Sequence, residues 1–139
     1  MMALWREKSL AFLDSGDTCA IVGDNVILRS KERGVKPLLA WLSAKENCAG
    51  AVAADKVVGK AAAYLYVLLG VAEVHAKVLS EMAEEVFLRF GIAYSFAEKV
   101  AAIRNRAGTG FCPMEQAVLD VDDPKRAYTV LNERIKLMN

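Results

Sequence analysis

A chain of 139 residues fits one domain, 1–139, long enough to bury a hydrophobic core without disulfide or metal staples. Hydrophobic residues make up 55% and charged residues 25%, and 18 Lys and Arg against 17 Asp and Glu leave a formal charge of +1. That balance provides no global field for nucleic acid or an anionic membrane, so neither is expected as a partner. The apolar start of the chain is broken by Arg6, Glu7 and Lys8, which is not a secretory pattern. The longest apolar run, Ala61 to Ala72, has 12 residues and is too short to span a bilayer. Cys19, Cys48 and Cys112 are odd in number and far apart, which favours reduced thiols and a cytoplasmic location.

In chain order, residues 3–13 carry a helix signal. Cys19–Val22 and Val26–Leu28 flank Gly23-Asp24-Asn25, the pattern of a β-hairpin with a tight turn. Arg29 to Lys36 reads as a polar loop, after which Pro37 opens a short helix over Leu38–Ala44. A central helix is predicted from an Asp55 cap to about Leu69, ending at Gly70. Alternation over Val74–Val78 predicts a strand. Ser80 starts a helix through Phe90, closed by Gly91. Ile92–Tyr94 reads as a short strand, and Ser95 with Glu98 as a capping box for a helix reaching Arg104. Asn105 to Cys112 is a loop, Pro113 opens a helical turn, and Asp123-Pro124 starts the last helix. Strands alternating with helices predict a three-layer α/β/α sandwich on a mixed sheet with an N-terminal hairpin.

Two phosphate motifs fail on inspection. Gly59-Lys60 resembles the end of a P-loop, but Ala54 replaces its first glycine and Ala61 its magnesium-binding hydroxyl. Gly108-Thr109-Gly110 begins a dinucleotide fingerprint that Pro113 breaks. Lys56 and Lys60, four apart on the predicted helix with Gly59 beside them, form an anion site at the positive end of that helix. The plainer alternative is an Asp55 cap, a packing glycine and two solvated lysines. Arg33 and Lys36 around Gly34 offer a second cationic loop. Asn105, Arg106, Gly108, Thr109 and Gly110 offer backbone and side-chain donors in a third.

Cys112, just before a helix start, is a candidate nucleophile with Asp55 or Glu115 in acid–base roles. His75, flanked by Glu73 and Lys77, reads as a rim histidine. Glu81, Glu84 and Glu85 suit the dipole of a helix start better than a magnesium site.

Three segments carry a resemblance: Arg33-Gly34-Val35-Lys36-Pro37-Leu38-Leu39, Ala54 through Ala62, and Asn105-Arg106 through Glu115. In them the chain resembles the uncharacterised bacterial family catalogued as domain of unknown function 1893. Its order of elements is similar to the cytidine-deaminase-like fold. Deaminases of that fold place His or Cys, then Glu, at the start of one helix and Pro-Cys-x-x-Cys at the next. Here Ala54-Asp55-Lys56 and Ser80-Glu81-Met82-Ala83-Glu84 stand at those places, so no zinc or other cofactor is expected.

The resulting expectation is a nucleotide-binding protein, for an adenine nucleotide or an ADP-ribose-like ligand, in a deaminase-like cleft. Lys56, Gly59 and Lys60 would face the phosphate, Ser80 would donate a hydroxyl, and Arg33, Lys36 or residues 105–110 would close over it. A thiol enzyme using Cys112 and a scaffold protein are the alternatives, and a homodimer is compatible with either.

Overall fold

The computed structural model describes residues 1–105 and 107–138. Helix α1 (Met2–Asp14) leads into the hairpin β1 (Cys19–Gly23) and β2 (Val26–Ser30). Helix α2 (Lys36–Ser43) follows, then β3 (Val52–Val58), α3 (Lys60–Leu69), β4 (Glu73–Ser80), α4 (Glu81–Phe90) and β5 (Ala93–Val100). The short α5 (Pro113–Ala117) and α6 (Pro124–Met138) complete the chain.

The five strands form one sheet in the order β2-β1-β3-β4-β5. β1 runs antiparallel to both neighbours, whereas β3, β4 and β5 are parallel. The parallel register forces the chain to cross over between strands, and α3 and α4 are those crossovers, packed against each other. Period-two alternation assigns the two faces. Val74 and Ala76 join the core under α3, while Glu73 and Lys77 turn the other way to meet Arg6 and Asp14 of α1. The mixed sheet is therefore covered by helices on both faces, the three-layer arrangement expected. No helix among the described residues is long and apolar enough to cross a membrane.

Local signals hold where they are strong. The hairpin closes on Asp24-Asn25 with Gly23 opposite Val26, and Asn25 takes the left-handed φ of 60°. The Ser80 hydroxyl accepts from the Ala83 amide, and Gly91, at φ 72°, ends α4.

Two expectations are corrected. The central helix starts at Lys60, not Asp55, because Val52–Val58 is a strand pairing β1 on one side and β4 on the other. Val57 and Val58 are β-branched and suit that pleated setting, which overrides the alanine-rich helical signal. Lys56 and Lys60 therefore do not share a helix face: Lys56 is an exposed strand residue and Lys60 the first residue of α3. Ser95 and Glu98 likewise cap nothing. They lie in β5, an eight-residue strand in register with β4 from Glu73↔Ala93 to Ser80↔Val100. Pairing along eight residues outweighs two well-spaced polar side chains.

Candidate functional site

Gly59 sits where β3 turns into α3 and is the N-cap, with no side chain of its own to satisfy the helix's first amides. Glu115 of α5 does so instead. Its Oε1 accepts from the Lys60 amide at 2.7 Å and its Oε2 from the Ala61 amide at 2.8 Å. A Cβ built on Gly59 would stand 2.2 Å from Oε1, so glycine is what lets the carboxylate reach the helix end. Burial pushes the Glu115 carboxyl up, and the two amides and the Lys60 charge pull it back down. The positive end of α3 thus has an anion already, supplied by the chain itself.

Lys60 Nζ does not point at that carboxylate. It donates to the Leu119 carbonyl at 3.0 Å, on the way into a cavity of about 240 Å³ in the groove between α3 and α4. Tyr64 of α3, Met82, Glu85, Val86 and Arg89 of α4, and Asp122 line it with Lys60. Arg89 donates to the Asp122 carbonyl. Both cations lie over the Tyr64 ring, Nζ at 5.8 Å and the guanidinium carbon at 5.7 Å from its centroid. Among the described residues, neither Lys60 nor Arg89 has a carboxylate within 4.0 Å. Two cations held by main-chain carbonyls thus converge on one concavity, with two carboxylate residues, Glu85 and Asp122, in its lining. A wider, shallower recess lies among α2, α3 and α6, toward the opposite end of α3.

The other predicted residues are distributed as follows. Asp55 is buried on β3, its Oδ2 accepting from the Tyr66 hydroxyl at 2.6 Å and its Oδ1 from the Val57 amide at 3.2 Å. Burial pushes its carboxyl up to about 7, against those hydrogen bonds and one from the Lys56 amide. Ser80 is buried and caps α4. Arg33 precedes α2 and Lys36 is its first residue, and both are exposed. The 105–110 loop turns its polar groups onto itself: Asn105 accepts from the Thr109 amide and donates to the Thr109 hydroxyl, and its own amide donates to the Gly110 carbonyl. Gly108 takes φ 72° to allow this turn. The amides of Asn105, Gly108 and Thr109 are thus engaged within the loop itself. Arg106 lies outside the described residues. Cys112 is half-buried at the N-cap of α5, while the nitrogens of His75 are engaged by Ser95, Glu73 and Arg6. Glu84 holds the Tyr94 hydroxyl and Lys99.

Of the predicted residues that are described, only Lys60 lines the cavity. Arg89 was missed because nothing local marks it. It ends α4 as an ordinary dipole-compensating base, and only the packing of α3 on α4 brings it to Lys60. Among the described residues no three His, Cys, Asp or Glu side chains gather as a metal-binding group.

Comparison with known proteins adds a family. The sequence model of a family described as domain of unknown function (DUF1893) matches residues 9–135. The chain is also similar to the crystal structure of a DUF1893 family protein from Thermotoga maritima. Identity is 28%, the TM-score is 0.87, and 96% of this chain and 91% of that one are covered. No curated protein matches.

Proposed function

Because the chain belongs to the DUF1893 family, whose description names no activity, we propose a function from the geometry: it binds a small phosphate-bearing ligand of the nucleotide class in the α3–α4 cavity. The convergence of Lys60 and Arg89, neither paired with a carboxylate among the described residues, carries this reading. A phosphate accepts charge-assisted hydrogen bonds from both, and Arg supplies them in the planar fork that suits phosphate oxygens. Glu85 and Asp122 supply acceptors for ligand hydroxyls such as those of a ribose.

The volume of about 240 Å³ lies below the roughly 300–1,000 Å³ of sites that enclose drug-sized ligands. It suits the sugar-phosphate end of a mononucleotide, and most of an ADP-ribose-like molecule would remain outside. Glu115 explains why the phosphate goes to side chains here, since the α3 amides are taken.

A thermal-shift series with nucleosides, mononucleotides, ADP-ribose and inorganic phosphate tests this. At about a hundred times its dissociation constant a ligand adds roughly 2.7 kcal/mol. Mononucleotides are expected to raise the melting temperature and nucleosides to leave it unchanged. Lys60→Ala and Arg89→Ala should each weaken binding by about tenfold or more, or roughly 1.4 kcal/mol, while Lys56→Ala leaves it intact. No shift with any phosphate-bearing ligand, or equal losses from Lys56→Ala, would remove the cavity as the site.

A further inference from the structure

On the opposite face of the sheet, under α1, three side chains from adjacent strands make a relay that the α3–α4 cavity does not use. His75 and Ser95 are register partners on β4 and β5, and Ser95 Oγ lies 2.5 Å from His75 Nδ1. Two residues earlier on β4, Glu73 places Oε2 2.9 Å from His75 Nε2. Arg6 of α1 clamps Glu73, with Nη2 at 2.8 and 2.9 Å from its two oxygens and Nε at 3.1 Å from Oε2. Hydrogen bonding from Arg6 is the largest influence holding the Glu73 carboxyl below its usual range, so it is ionised at neutral pH.

His75 Nε2 also lies 3.1 Å from Arg6 Nε, whose N–H is shared with Glu73 Oε2 at 3.1 Å. In the tautomer that carries its proton on Nε2, that nitrogen donates to the ionised Glu73 carboxylate, which only accepts. The lone pair is then on Nδ1, where the Ser95 hydroxyl donates to it. His75 and Glu73 are both shielded, with side chains 10% and 12% exposed, whereas Ser95 is exposed. A fixed, shielded base therefore faces an accessible hydroxyl, the arrangement that activates a serine. Compared with the familiar triad, the two ring nitrogens exchange roles. The strand register dictates this, because serine comes from the neighbouring strand and the carboxylate from the same one.

We infer that Ser95, with His75 as general base and Glu73 as its positioning residue, is a nucleophilic site for carboxylic esters. Ser95 Oγ forms a bond to the ester carbonyl carbon as its proton passes to His75 Nδ1. The tetrahedral intermediate collapses, the C–O bond to the alcohol breaks, and the alcohol leaves with that proton. Water, deprotonated by the same nitrogen, then hydrolyses the acyl-serine and restores the hydroxyl. Among the described residues β5 pairs only with β4, which leaves amides on its outer edge without a strand partner, and the oxyanion is assigned to them.

The test is labelling of the folded full-length chain with a fluorophosphonate, which puts phosphorus on an activated serine and releases fluoride, followed by peptide mass spectrometry. A single adduct at Ser95 is expected, lost on unfolding in urea and in Ser95→Ala. His75→Asn should slow labelling by about 100-fold or more, and p-nitrophenyl acetate should give a burst of p-nitrophenolate in the wild type alone. If the folded wild type forms no adduct at Ser95, or labels no faster than in urea, the relay is only a tether between α1 and the sheet. An adduct rate unchanged in a folded His75→Asn variant would equally overturn the assignment.

Discussion

Between about pH 4 and about pH 7 the folded protein is expected to lose roughly 4 kcal/mol of stability through Asp55 alone. The unfolded carboxyl titrates near 3.8 and the folded one near 7. Between those values the native state binds a proton that the unfolded state has released, so stability falls as pH rises. The contribution is fully present below the unfolded value and gone above the folded one. About 3 units at about 1.4 kcal/mol each give the total. The Tyr66 hydroxyl and the Cys19 thiol face the carboxylate and bring no positive charge to offset its burial. Asp55→Asn keeps an acceptor for the Val57 amide and can donate to Tyr66, so it should fold and flatten the profile. Urea denaturation of both proteins across this range measures the difference. Parallel wild-type and Asn profiles would mean that Asp55 is charged throughout.

Glu115→Ala is expected to cost about 3 kcal/mol, lowering the melting temperature by about 10 °C. It strands the buried Ala61 amide and the part-buried Lys60 amide, and the loss of charge-assisted hydrogen bonds adds to their desolvation. Glu115→Gln retains one acceptor and should cost less. Gly59→Ala should do similar damage, because its methyl occupies the carboxylate's position. The two alanine substitutions share one interaction, so the double mutant should fall well short of their sum. Calorimetry on the four proteins decides this, and strict additivity would show that Gly59 serves some purpose other than admitting Glu115.

These two residues show where the sequence is readable. The hairpin and α4 carry their own punctuation, Gly23-Asp24-Asn25 in one and Ser80 with Gly91 in the other, and both form as read. The β3–α3 boundary was misplaced because Asp55 looks like a cap and the alanines that follow look helical. Val57-Val58 before Gly59 was the contrary signal. In β5, Tyr94 and Phe96 at period two opposed the capping-box reading of Ser95 and Glu98. The cap on α3, the Arg89 cation and the Ser95 hydroxyl beside His75 each depend on a partner distant in sequence. Their side chains look ordinary in their own segments, and no spacing rule joins Gly59 to Glu115.

That separation sets an order of events as the chain is made. The carboxylate that receives the Lys60 amide comes 55 positions later in the chain. While the first hundred residues emerge, every strand of the sheet and its crossover helices can be present, yet the start of α3 can be held only by water. The capping of α3 waits for α5, so the nascent protein completes its central helix from behind, after the elements that enclose it. A chain stopped just before Pro113 would have all five strands and still lack the group that closes their largest buried helix.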